Sequence, residues 1–153
     1  MRFAMAVLFL ASCGRDERVP DESPPSSRWQ VVDGSRVDVD AVVAASARGA
    51  RARGLVPVIY FSAPYTMASA ELVALRDTPP MRGALRGTWV IEVDGATLET
   101  SGARGFWHAF RGVDADGRVT SAMLEPGTKN GPCADGDADA CAAWVAPFVR
   151  SLR

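Results

Sequence analysis

The chain has 153 residues, a hydrophobic share of 48% and a net charge of −1. That is enough apolar material for one cored domain, and the absence of a basic surplus removes the electrostatic case for nucleic-acid binding. The three cysteines are too few for a small disulfide scaffold and leave room for at most one internal bridge.

The N-terminus differs in kind from the rest. "MRFAMAVLFLASC" places Arg2 before an apolar stretch from Phe3 to Leu10, then Ala11, Ser12 and Cys13. The stretch is too short to span a bilayer and has the proportions of the apolar part of an export signal. Leu10-Ala11-Ser12-Cys13 resembles the lipobox of bacterial lipoproteins. The resemblance implies a signal peptide over residues 1–12, removed before Cys13, whose thiol and new amino group then carry lipid. Each buried methylene of such a chain adds about 0.8 kcal/mol of membrane affinity, so several acyl chains on one residue anchor firmly. The alternative is a buried N-terminal strand or helix with an incidental cysteine.

Behind Cys13 runs "GRDERVPDESPPSSR", charged, rich in Pro and Ser, and almost without apolar residues. Such a composition cannot offset its ordering entropy by burial, and it predicts a flexible tether over residues 13–28. Gly14 stands where lipoproteins held at the inner membrane often carry Asp, which points to the outer membrane. The expected location is the bacterial cell envelope, lipid-anchored on the periplasmic face.

A globular domain is predicted over residues 29–153. In "VDVDAVVAASARGARARG", Val39, Val42, Val43 and Ala47 share one helical face, with Asp38 or Asp40 as N-cap and Gly54 as the stop. "VPVIYFS" is a continuous run of β-formers, as in a central parallel strand covered on both faces, with Pro57 at its start where no ladder donor is lost. A helix from about Ser69 to Arg76 breaks before Pro79-Pro80, and a shorter one resumes through Leu85. "TWVIEV", Thr88 to Val93, is a second apolar strand. "FWHAFRGV" and "RVTSAML" flank Asp114-Ala115-Asp116-Gly117 and predict an antiparallel hairpin. The closing "ADACAAWVAPFVRSLR" puts Cys141, Val145, Phe148 and Leu152 on one stripe. Pro147 either kinks that helix or lies early enough in it to be tolerated. The order helix, strand, helix, strand, hairpin, helix predicts an α/β sandwich with a mixed central sheet and helices on both faces.

The segment "FSAPYTMAS", Phe61 to Ser69, resembles the thioredoxin-fold active-site segment, Phe-x-Ala-Pro-aromatic-Cys-x-x-Cys, with Thr66 and Ser69 at the two cysteine positions. The resemblance is specific there, and the element order extends it over about Val37 to Leu152. It implies a thioredoxin-like three-layer sandwich. A thiol at a helix N-terminus is activated by unpaired N–H groups and the helix dipole, and a second thiol resolves the mixed disulfide. A Thr hydroxyl does neither, so Thr66 is expected to act as an N-cap. The family's buried Asp corresponds to Tyr60, and its cis-proline position falls on His108. Loss of both thiols, the Asp and the Pro implies a scaffold without redox chemistry. The vestigial positions are therefore Tyr65, Thr66, Ser69 and His108, with no catalytic residue, cofactor or metal.

Rival chemistries have thinner support. His108 is the only histidine; a Ser/His hydrolase would also need an orienting carboxylate and an oxyanion hole, and the chain has no Gly-x-Ser-x-Gly. Cys133 and Cys141, in "PCADGDADAC", are the right number for one structural disulfide in an oxidising compartment, the alternative being a redox-active pair. Asp135, Asp137 and Asp139 resemble the opening of a calcium loop, but no closing bidentate Glu follows, and a solvated acidic turn is expected. The expected function is binding of an envelope protein or an extended peptide in a groove around Tyr65, Thr66 and His108. The alternatives are thiol–disulfide exchange through Cys133 and Cys141 and a structural envelope component.

Overall fold

The computed structural model describes residues 26–33, 37–62, 67–94, 109–125 and 132–153. In chain order these form β1 (Arg28–Val32), α1 (Val39–Arg51), β2 (Val56–Ser62), α2 (Met67–Leu75), α3 (Pro79–Ala84), β3 (Thr88–Asp94), β4 (Ala109–Val113), β5 (Val119–Leu124) and α4 (Ala138–Ser151). The sheet runs β1-β3-β2-β4-β5. β1 and β2 pair in parallel with β3, β4 pairs antiparallel with β2, and β5 pairs antiparallel with β4. The protein is an α/β fold on a mixed, open five-stranded sheet. Because β2 is at its centre, its strand partners are parallel on one side and antiparallel on the other.

One strand is additional to the sequence expectation. β1, "RWQVV", pairs Trp29 with Val90 and Val32 with Val93. It starts at Arg28, at the last residue of the span assigned to the tether. Its polar Gln30 is tied inward, because Gln30 Oε1 accepts from Trp89 Nε1 at 3.0 Å and from the Ser46 hydroxyl at 3.3 Å. One amide oxygen thereby joins β1, β3 and α1, and the Arg28 guanidinium stacks 3.9 Å from the Trp89 ring.

Alternation along β2 divides the core in two. Val58 and Tyr60 point to the side of α2, α3 and α4, where Leu72, Met81, Val90, Phe110, Val145 and Val149 pack with them. Ile59 and Phe61 point to the side of α1 and join Val43, Ala47, Ala50, Ile91 and Val93. Helices thus lie on both faces of the sheet.

Local chemistry explains where the elements stop. Asp38 is the N-cap of α1, its Oδ1 accepting from Ala41 N at 3.1 Å. Behind α1, Gly54 adopts φ +69, the left-handed conformation in which a helix terminates most cheaply on glycine. Thr78 precedes the Pro79-Pro80 start of α3, whose missing N–H groups fall where a helix has no intrahelical acceptor for them. Asp137 caps α4 by accepting from Asp139 N and Ala140 N. The Asp-x-Asp-x-Asp run is therefore a helix-capping turn. Pro147 falls well inside α4, past the first turn. Pro147 and Ala143, the residue whose carbonyl loses its N–H partner, are both exposed, so water can take that bond. The inward stripe of α4 also contains Ala142 and Val149.

Candidate functional site

Of the residues singled out as vestigial, Ser69 lies among the described residues; Tyr65, Thr66 and His108 lie outside them, as does the lipid-attachment candidate Cys13. Ser69 sits in the first turn of α2, only 2% exposed. Its hydroxyl is 3.3 Å from the phenol oxygen of Tyr60, the β2 residue that the thioredoxin resemblance would set at a buried Asp. These two positions are therefore in direct contact.

Tyr60 is fully buried. Its ring lies 4.8 Å from that of Phe110 and 6.0 Å from that of Trp29, centroid to centroid. Burial pushes its phenol up to about 12, and the negative charge of Glu92 adds to the rise, while the Ser69 hydrogen bond works against it. A phenol held this way is a neutral hydrogen-bonding group across the physiological range.

Glu92 is the feature that pattern reading passed over. It pairs with Tyr60 across the parallel β2–β3 ladder and is 7% exposed. Its Oε2 accepts the indole N–H of Trp29 at 2.7 Å and lies 3.7 Å from an Arg76 guanidinium nitrogen. β1, β3 and the segment after α2 thus converge on one carboxylate, above the Trp29–Tyr60–Phe110 ring cluster. The signal was present in the sequence: an acidic residue inside "TWVIEV", an otherwise apolar strand, is seldom buried without a partner or a task.

Glu92 borders a cavity of about 250 Å3, together with Ser62, Ser69, Ala70 and Val73. A second cavity of about 150 Å3 is lined by Trp29, Arg76, Arg82, Leu85 and Val90 among others. The Trp29–Glu92–Arg76 cluster therefore borders both. The first cavity lies beside the carboxyl ends of β2 and β3 and the start of α2, where open α/β sheets usually take ligands. It offers hydroxyls, a carboxylate and an apolar wall. Among the described residues it has neither thiol nor imidazole, so the described walls are suited to holding a ligand by hydrogen bonds and charge.

Cys133 and Cys141 form a disulfide, with their Cα atoms 4.5 Å apart. Both are buried, at 2% and 0%, and the bridge fastens the turn before α4 to the first turn of that helix. Among the described residues no group of three or more His, Cys, Asp or Glu could hold a metal ion, and no helix is long and apolar enough to cross a membrane. A scan against protein-family models and searches of curated proteins and of solved structures found no match to this chain.

Proposed function

We propose that the chain is a lipid-anchored, thioredoxin-like domain of the bacterial cell envelope that binds a protein or an extended peptide without redox chemistry. The observation that carries it is the Ser69–Tyr60 contact. The position of the resolving thiol and that of the buried Asp are filled by two hydroxyls that bond to each other, beside a cavity able to take a ligand. The parallel β1-β3-β2 set extended by an antiparallel hairpin is compatible with the thioredoxin-like reading of "FSAPYTMAS", and the lipobox-like "LASC" supplies the anchor. Exchange through Cys133 and Cys141 is less favoured, because both sulfurs are buried and a reactive pair needs access for an incoming thiolate.

The test is capture in native membranes. A photoreactive residue at position 65 should crosslink one discrete envelope protein or peptide. Cys13→Ser should release the protein from the membrane or leave it uncleaved. A chain that captures nothing, and whose membrane association and mass are unchanged by Cys13→Ser, would remove both parts of the proposal.

A further inference from the structure

Glu92 is a buried carboxylate whose described contacts use one of its two oxygens. Both of its described contacts, the Trp29 indole and the Arg76 guanidinium, are made through Oε2; among the described residues none reaches Oε1. No buried side-chain nitrogen or oxygen among the described residues lacks a partner, so an oxygen without a described protein partner is one that solvent or a ligand can reach. Glu92 is also a wall of the 250 Å3 cavity. Among the described residues, the rest of that wall is of two kinds. Ala70 and Val73 are apolar, whereas Ser62 and Ser69 carry hydroxyls, that of Ser69 engaged by Tyr60. The Ser62 hydroxyl donates to the Val93 carbonyl at 3.4 Å and so keeps its own acceptor capacity.

An apolar wall leading to a carboxylate, with the Ser62 hydroxyl oxygen on the same cavity, is complementary to an alkyl stem ending in a multiple donor. Anionic groups are opposed by the carboxylate, and a purely apolar group would leave Oε1 without a partner. A lysine side chain has a four-carbon stem and three donors on a compact ammonium. A cavity of this volume accommodates it, given that one water takes about 30 Å3 in the liquid.

We propose that this cavity receives a cationic alkyl group, as on a lysine side chain of a bound peptide, with its ammonium on Glu92 Oε1. The lysine assignment rests on the peptide-binding reading above; the cation preference of the cavity rests on Glu92 and its walls alone.

The full chain is titrated with n-butylammonium, n-butanol and butyrate while the methyl signals of Ala70 and Val73 are followed by NMR. Butylammonium should shift both methyls and saturate at a concentration at least tenfold below butanol, with butyrate weakest. Glu92→Gln keeps an amide oxygen for the Trp29 indole and removes the charge, so it should abolish the ammonium's advantage and leave butanol unchanged. Should that variant fold poorly, Ala70→Leu on the exposed rim narrows the cavity without touching the carboxylate cluster and should weaken all three probes. Equal response to butylammonium and butanol, or a preference for butyrate, would overturn the inference. A partner captured at position 65 whose yield is untouched by Glu92→Gln would also overturn it while leaving the binding reading in place. Ammonium binding with no partner captured would support the cation site and remove the peptide reading instead.

Discussion

The indole of Trp29 on β1 donates to Glu92 on β3 at 2.7 Å, closing a half-buried polar contact between the edge strand and its neighbour in the sheet. Removing one member of such a pair leaves the other desolvated and short of a partner, which costs about 1–3 kcal/mol and more for a charged group. Trp29→Phe should therefore lower stability by about 2 kcal/mol, read as a shift of the urea midpoint with an unchanged slope. In the double variant Trp29→Phe with Glu92→Gln the losses should fall short of additive, since the second change removes the charge that the first left stranded. Additive losses would mean that the indole stabilises the protein through packing alone.

Tyr60 gives a pH signature. Its phenol is pushed up to about 12 in the folded protein by burial and by Glu92, against about 10 in an unfolded chain. Below pH 10 both states keep the proton and the native contribution is fully present. As pH rises from 10 to 12 the unfolded chain loses the proton and the folded one does not, so stability falls, by about 2–3 kcal/mol at pH 12. Tyr60→Phe should flatten this part of the stability profile. At neutral pH it should cost only about 1 kcal/mol, for the Ser69 hydrogen bond. An alkaline decline of the same size in the variant would place the titrating group elsewhere.

Much of the architecture is legible in the sequence because it depends on local pattern. The helical face of Val43 and Ala47, an Asp cap at position 38 or 40, the apolar β2 and β3 runs and the Asp114 hairpin all follow from spacing and turn chemistry. β1 was not legible. Its five residues follow a Pro- and Ser-rich segment, and its one inward polar group, Gln30, is satisfied only by Trp89 and Ser46, distant in sequence. The site shows the same division. Ser69 was found by resemblance to a motif, whereas Glu92, a charge in an otherwise apolar strand, was not singled out. That both border one cavity, and that Ser69 bonds Tyr60, depends on how β2, β3 and α2 pack, which no local pattern encodes.

Two glycines with left-handed backbone should respond differently to alanine. Gly117, in the β4–β5 turn, has φ +85, and a Cβ there would lie 2.5 Å from the Ala44 Cα of α1. Gly54 has φ +69 with nothing within 4 Å of the added carbon. Gly54→Ala should cost about 1–2 kcal/mol, the conformational penalty alone. Gly117→Ala should cost clearly more, because the hairpin must also move away from α1. Thermal or urea unfolding ranks the two, and equal costs would mean that the turn yields without strain.

The Cys133–Cys141 bridge closes a short loop at the start of α4, over a sequence separation of 8. Loop-closure entropy for that length corresponds to about 2–3 kcal/mol. Cys133→Ser should therefore lower the melting temperature by roughly 10 °C for a domain of this size. Because both sulfurs are buried, the native protein should also resist mild reductant until it unfolds. Rapid reduction of the folded chain would revive the exchange reading.

Cysteines placed at the two positions that the thioredoxin resemblance assigns to thiols test whether the surroundings of the site suit redox chemistry. The wild type should not reduce insulin, since Thr66 and Ser69 form no disulfide. In Thr66→Cys with Ser69→Cys, the new thiol at position 69 would be placed where the serine is 2% exposed, facing the Tyr60 phenol. Burial disfavours the thiolate and so raises the pKa of such a thiol. The double variant should exchange weakly at best. Adding Tyr60→Asp, to supply the carboxylate that the thioredoxin resemblance calls for, should not help. It would remove a ring packed against Trp29 and Phe110 and bury a charge near Glu92, an exchange expected to cost about 3–5 kcal/mol from the lost ring alone. The triple variant should therefore be less stable than the double and no faster. Thioredoxin-like rates in the double variant would show that the loss of the thiols is the only change that matters, and that the pocket around Ser69 still suits a reactive pair.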